Sequence, residues 1–270
     1  MDTDAVLTLL QDVAERVINP RFRSLDDDEI HEKRPGDLVT AADHEAEVLI
    51  TEALLEAYPS AVVLGEEAYA HDASLLGRFS GAEHAFTVDP VDGTKNFVHG
   101  SKDHAVMVAE VKAGEVIRSW IWHPQHHTSY VAERGAGAYR TVADGAPERL
   151  VRAAAPVEQA NWRVVTSRRS WVGRELTGLG PLELTWVCCG VDYPRLVEGR
   201  ADVVLYGHAN AWDHAPGSLL LTESGGHHGT IDGSHYDPRS PQRPGLIAAA
   251  DRTTYDAMVP LAAELPGRSR

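Results

Sequence analysis

Asp89 and Asp92 stand three residues apart in Asp89-Pro90-Val91-Asp92-Gly93-Thr94, directly after an apolar run at 85–88. Pro90 cannot donate to a sheet ladder, and Gly93 permits tight backbone geometry. A turn here can aim both carboxylates into one space, with the Val91 carbonyl between them. Hard cations such as Mg²⁺ take oxygen ligands of this kind, with water and a substrate phosphate completing the set. A helix starting after Gly93 would turn its first N–H groups toward a nearby anion. Asp-Pro and Asp-Gly pairs also build ordinary turns. On this segment alone, a metal site and a plain turn are both open.

Two further acidic groups stand at element ends. Glu66-Glu67 closes an apolar strand expected at 61–64, as ligands or as solvated surface. Asp213 lies in Ala211-Trp212-Asp213-His214-Ala215-Pro216-Gly217, just ahead of an apolar helix, as a ligand or as an N-cap. Pro216 is tolerated in a first helical turn, and Gly225-Gly226 ends the helix. Small residues on that turn would let the helix end approach a bound group.

Four pieces in order resemble the inositol monophosphatase family. They are Gly36-Asp37-Leu38-Val39-Thr40-Ala41-Ala42-Asp43, Leu64-Gly65-Glu66-Glu67, Val88-Asp89-Pro90-Val91-Asp92-Gly93-Thr94-Lys95-Asn96-Phe97, and Trp212-Asp213-His214-Ala215-Pro216-Gly217 with Glu223-Ser224-Gly225-Gly226. The resemblance implies an α/β (α+β) fold, a layered α/β/α/β/α sandwich, commonly a homodimer. It implies two or three Mg²⁺ ions held by Glu66, Asp89, Asp92, Asp213 and the Val91 carbonyl. Thr94 and Asp43 would orient or activate a water at the metals, with Glu67 among the catalytic carboxylates. The N–H groups of Gly93 and Thr94 would hold the phosphate, alongside Asp92 and Asp213. The implied reaction is hydrolysis of a phosphate monoester of a small polar metabolite, with lithium inhibition by analogy. The chemistry is coherent: cations offset the repulsion between a phosphate dianion and its nucleophile, and phosphoryl transfer asks for positioning and electrostatics.

The substrate side departs from that pattern. Inositol-specific relatives usually carry a Glu several residues before the Trp-Asp pair, and by that spacing this chain has Tyr206. The stretch Tyr206-Gly207-His208-Ala209-Asn210 is then expected to line the substrate pocket, with Tyr206 and His208 as substrate contacts; the alternative is a core strand end followed by a loop. Cys188-Cys189-Gly190-Val191-Asp192-Tyr193 stands where relatives tend to have Gly-Ser-Ala. Cys189 or Asp192 facing substrate is one reading, and two small buried thiols the other. Histidinol phosphate, a sugar phosphate or a 3′-phosphonucleotide are alternative substrates. A catalytically silent, metal-binding regulatory homologue is the alternative of another class.

The elements that must position these groups follow from spacing. A helix is expected over 3–18, a charged loop over 21–37 broken by Pro35 and Gly36, and a helix over 40–57 capped by Thr40. Antiparallel strands are expected from 104 to 140, and alternating helices and strands after 156, including a helix over 170–176. Two halves, 1–145 and 146–270, divide near a connector. Trp120 and Trp122 would share one strand face. His123-Pro124-Gln125-His126-His127 reads as a turn rather than a zinc site, His227-His228 as loop, and Ser167-Arg168-Arg169 as a solvated face.

The bulk numbers restrict the partners. A formal net charge of −15 argues against nucleic acid or an anionic membrane as the main partner. A small phosphate ester therefore needs its charge offset locally. With two adjacent cysteines, no leader pattern near the N-terminus and no long apolar run, the expectation is a cytoplasmic protein.

Overall fold

The computed structural model describes residues 1–34, 37–240 and 245–266. Pro35 and Gly36, the expected loop breakers, lie outside the described residues. The first half runs α1 (Thr3–Val13), β1 (Ile30–Arg34), β2 (Asp37–Thr40), α2 (Ala41–Ala57), β3 (Val62–Gly65), α3 (Glu66–His71), α4 (Leu75–Gly81), β4 (His84–Asp92), α5 (Thr94–Val98), β5 (Ala105–Lys112), β6 (Glu115–His123), β7 (Thr128–Glu133), β8 (Gly137–Val142) and β9 (Glu148–Leu150). The second half runs β10 (Val164–Thr166), β11 (Glu183–Leu184), α6 (Cys189–Val197), β12 (Val203–Tyr206), α7 (Ala211–Glu223), β13 (His227–Thr230), β14 (Leu246–Ala249) and α8 (Arg252–Ala262).

Strand residues alternate between faces, and here both faces are buried. On β5, Val106 and Val108 join one core with α1, α2, Trp120 and Trp122. Ala105, Met107, Ala109 and Val111 join another with α6 and α7. The second sheet repeats the device. Val204, Tyr206, Leu246 and Ala248 face α6 and α7, while Val203, Leu205, Ile247 and Ala249 face α8. The result is an α/β/α/β/α sandwich. Its sheets are seven-stranded, β3-β4-β5-β6-β7-β8-β9, and five-stranded, β11-β10-β12-β14-β13. In the first, β3 and β4 run parallel and the other pairs antiparallel.

Gly217 shows how tightly the central helices meet. A Cβ there would sit 2.0 Å from the Tyr193 ring. The small residues at the start of α7 thus admit a neighbouring helix as well as a possible ligand.

Several expectations are corrected. The 21–37 segment is not a plain loop: β1 and β2 form an antiparallel hairpin pairing Ile30 with Thr40. Its charged residues hid the two-residue period. The 170–176 segment is a short 3₁₀ turn at Arg169–Trp171, ended as Gly173 takes φ +78. His227 and His228 lie on an edge strand paired to β14. The strand expected to stop at 88 runs on to Asp92, with a register shift between Asp89 and Asp92 that takes up Pro90. α7 begins at Ala211, so Asp213 lies inside its first turn, and Asn210 is the N-cap residue. No helix among the described residues is long and apolar enough to cross a membrane.

Candidate metal centre

The bulge in β4 and the first turn of α7 bring Asp89, Asp92 and Asp213 together, each offering an oxygen within 4.8 Å of the others. Gly93 makes the turn possible. It holds φ +80, and a Cβ there would meet Cys188 Cβ at 3.0 Å and the Asp103 carbonyl at 3.2 Å. Asp92 is oriented from α6: Cys188 Sγ donates to its Oδ2 at 3.0 Å, and the Gly190 N–H donates to the same oxygen. Asn210 donates to Asp213 Oδ2 at 2.9 Å. Asp89 is 1% exposed, and its Oδ1 is buried with no hydrogen-bond partner among the described residues. A buried carboxylate oxygen without a donor is costly.

The electrostatics express the same crowding. Burial, then Glu66, Asp92, Asp213 and Asp43, raise the Asp89 pKa well above the ordinary value. Burial and the Asp92 charge raise Asp213 to about 7. Burial raises Asp92 too, opposed by its bonds from Cys188 and Gly190. The donor set is all oxygen and carries concentrated negative charge, so these residues fit a hard divalent cation.

Glu66 and Glu67 open α3. Glu66 stands outside the 4.8 Å group, and it pairs with Lys33 of the hairpin: Nζ lies 2.6 Å from Glu66 Oε1 and 2.9 Å from Glu67 Oε1. Burial still raises Glu66 to about 8. Glu47 on α2 anchors this helix start, accepting from the Glu67 and Ala68 N–H groups, each at 2.7 Å.

Thr94 and Asp43 lie side by side. Thr94 Oγ1 lies 3.2 Å from Asp43 Oδ1 and 3.1 Å from the Val91 carbonyl. Asp43 Oδ2 accepts from the Thr40 N–H at 2.8 Å and the Thr40 hydroxyl at 2.5 Å. Burial raises Asp43 to about 6. The Gly93 N–H faces the Asp92 carboxylate.

Beside the cluster opens a cavity of about 630 Å³, lined by Lys33, Glu66, Tyr69, Ala70, His208, Asn210, Trp212 and Asp213. His208 lines it. Tyr206 does not: it is 1% exposed, and its ring stacks on Tyr193 at 5.4 Å. It ends β12, a strand buried on both faces, on the side packed against α6 and α7. Asp192 is likewise buried, accepting from the Trp186 N–H at 3.0 Å. Sequence reasoning missed Lys33, Glu47 and Tyr69. Their partners lie far along the chain or, for Tyr69, across a fold contact, so spacing carried no signal.

A family model described as the inositol monophosphatase family matches residues 2–266. The inositol-1-monophosphatase of Rhizobium meliloti (strain 1021) is 33% identical over 208 residues, 72% of either chain. Nus factor SuhB of Pseudomonas aeruginosa is 31% identical over 235 residues, 79% of this chain and 81% of the relative. The solved inositol monophosphatase II of Staphylococcus aureus MSSA476 superposes with a TM-score of 0.77 at 21% identity, covering 98% of this chain and 95% of that one.

Proposed function

The chain belongs to the inositol monophosphatase family, and we propose that it hydrolyses the phosphate monoester of a small polar metabolite, using Mg²⁺ at the carboxylate cluster. One observation carries this reading. Three carboxylates converge within 4.8 Å, one with a buried oxygen that has no donor, next to a hydroxyl–carboxylate pair able to handle a proton.

Asp89, Asp92, Asp213 and the Val91 carbonyl would hold the ions, with Glu66 completing the set once Lys33 releases it. Bound there, divalent ions neutralise the phosphate dianion, acidify water and stabilise the departing alkoxide. The chain's own residues do the positioning. Asp43, fixed by Thr40, accepts from the Thr94 hydroxyl, so Thr94 Oγ1 is free to accept from the attacking water. The N–H groups of Gly93 and Thr94, at the start of α5, would donate to the phosphate. Water oxygen bonds to phosphorus, the ester P–O bond breaks, and a proton ends on the released alkoxide, giving alcohol and inorganic phosphate. Cys188 and Gly190 keep Asp92 from turning away during the reaction.

The similarity to Nus factor SuhB supports a second reading, a metal-holding protein that acts by binding. Phosphate release separates the two. A panel of inositol phosphate, histidinol phosphate, fructose bisphosphate and adenosine bisphosphate is incubated with Mg²⁺ or with EDTA. EDTA-sensitive turnover, abolished in Asp92→Asn with an unchanged circular dichroism spectrum, is the expected result. Near-normal activity in Asp92→Asn would remove the cluster from the mechanism, and no turnover of any ester would favour the binding role.

A further inference from the structure

We propose that the cavity between α6 and the inner face of β6–β8 is a second anion site, suited to inorganic hydrogen phosphate, the product of the hydrolysis proposed above. It shares no lining residue with the cavity beside the carboxylates, and its test requires no turnover.

Helix and strand periods build it. Val191, Pro194 and Arg195 on α6, with Glu198 just past its end, recur at i, i+3, i+4 and i+7 and so share one face. Facing them, Tyr130 pairs with Arg140 and Thr128 with Val142 across β7 and β8, and His123, His126 and Asp103 complete the wall. The space is about 180 Å³. Pockets for drug-sized ligands run to roughly 300–1,000 Å³, so this one suits a group of a few atoms.

Most polar groups of the wall pair with one another. Arg140 donates to Glu198 at 3.0 Å and to Glu148 at 2.6 Å, and the Tyr130 hydroxyl donates to Glu198 at 2.8 Å. His126 Nε2 lies 3.0 Å from Asp103 Oδ1, and the Thr128 hydroxyl donates to the His126 carbonyl at 2.9 Å. Both lining acids are thereby offset. Three groups stand apart from these pairs. Arg195 is half-buried, lies 5.8 Å from the Trp186 ring centroid and makes no ion pair among the described residues. Arg140 Nε is buried with no acceptor among the described residues. His123, 6% exposed, spends Nε2 on the Gly190 carbonyl at 2.7 Å. A carbonyl only accepts, so Nε2 carries the hydrogen and Nδ1 is an acceptor.

A cation beside an acceptor discriminates among anions. Inorganic phosphate keeps a P–OH at neutral and mildly alkaline pH, which can donate to Nδ1 while the charged oxygens accept from Arg195. Sulfate carries no such hydrogen, and a phosphate monoester loses its own above a second pKa of about 6. The site thus fits the product and turns away the ester. It also lies close to the reaction: the Gly190 N–H donates to Asp92 Oδ2, so the ligand would rest on the ring that steadies a metal-facing carboxylate through one glycine.

The test is calorimetry on the full chain in EDTA at pH 8, where carboxylates without divalent ions repel an anion. The expected result is one phosphate site with a Kd below about 10 mM, with sulfate and methyl phosphate at least tenfold weaker. Arg195→Met should weaken phosphate at least tenfold through loss of a charge-assisted contact, and Arg195→Lys should recover part of that loss. Phosphate should also shift the nitrogen NMR resonance of His123 Nδ1 in the unaltered chain and not in Arg195→Met, a signal that a merely structural arginine would not control. If Arg195→Met does not fold, the anion comparison and the His123 signal in the unaltered chain decide. Sulfate bound as tightly as phosphate, undiminished binding by a folded Arg195→Met, a His123 resonance indifferent to phosphate, or no binding at all would overturn the proposal.

Discussion

Burial and four neighbouring acids oppose the charge on Asp89 and raise its pKa well above the ordinary value. The sign matters for stability. A carboxyl whose folded pKa lies above its unfolded value near 3.8 withholds stability increasingly as pH climbs above that unfolded value. In EDTA, Asp89→Asn is therefore expected to raise Tm at pH 8 by about 3–6 °C, with the gain shrinking toward zero near pH 4. Adding Mg²⁺ should reverse the order, since the variant has lost a ligand. Thermal melts between pH 4 and 8 decide this, and a gain that ignores pH would mean the carboxylate's charge is not what the site resists. At this scale the sequence exposed Asp89, Asp92 and Thr94 because one short segment carries them all. It could not expose Lys33 or Glu47. Lys33 pairs with acids 33 and 34 residues away, and Glu47 caps a helix 20 residues on. Counting back from Trp212 gives Tyr206 a position, whereas β12 is buried on both faces and keeps that side chain in the core, the alternative the spacing left open.

Elements hold these residues through bonds that no motif reveals. His123, at the end of β6, is 6% exposed, and burial lowers its pKa to about 4, so the ring is neutral at pH 7. Its Nε2 lies 2.7 Å from the Gly190 carbonyl; a carbonyl only accepts, so Nε2 carries the hydrogen. The N–H of the same Gly190 donates to Asp92 Oδ2. The seven-stranded sheet thus braces the start of α6, and α6 braces a metal-facing carboxylate. Second-layer contacts of this type are worth roughly 10–100-fold in metal affinity. His123→Ala should accordingly raise the Mg²⁺ concentration for half-maximal activity about tenfold, with kcat at saturating Mg²⁺ little changed. His123→Gln should recover part of the loss. A fall in kcat with unchanged Mg²⁺ dependence would show the brace acts elsewhere. An apolar stripe made α2 legible, and Pro216 with Gly225-Gly226 bounded α7, which is buried on nearly every side. β1 and β13 carry few apolar residues, and β2 has only Leu38 and Val39, so no two-residue period marks them; their pairing is set by partner strands. α3 is six residues long, too short for periodicity to register.

At the scale of the whole molecule, the two larger sheets of the described residues share one central helical layer, and the carboxylate cluster sits where they join. Asp89 and Asp92 come from the seven-stranded sheet, while Asp213 comes from α7 in the layer packed against both. Alternation along the strands made sheets and helices readable. Which buried face meets which helix is a matter of complementary shape, as where Gly217 receives Tyr193, and periodicity does not encode it. The expected division near 145 falls in the link between β8 and β9, and the first sheet continues to Leu150. Because α6 and α7 share their core with both sheets, neither sheet can lose its inner face without exposing the other's. Unfolding is therefore expected as a single calorimetric transition even in EDTA. A divalent ion bound across β4 and α7 ties the layers further. At one hundred times its Kd it adds about 2.7 kcal/mol by mass action, a Tm rise of roughly 5–10 °C. The rise should be larger at pH 8 than at pH 6, since protons compete for Asp213 and Glu66, which titrate near 7 and 8. Differential scanning calorimetry with a Mg²⁺ series at both pH values checks this. Two separate transitions in EDTA, merging only on addition of Mg²⁺, would mean that the ion rather than the shared helical layer couples the two sheets.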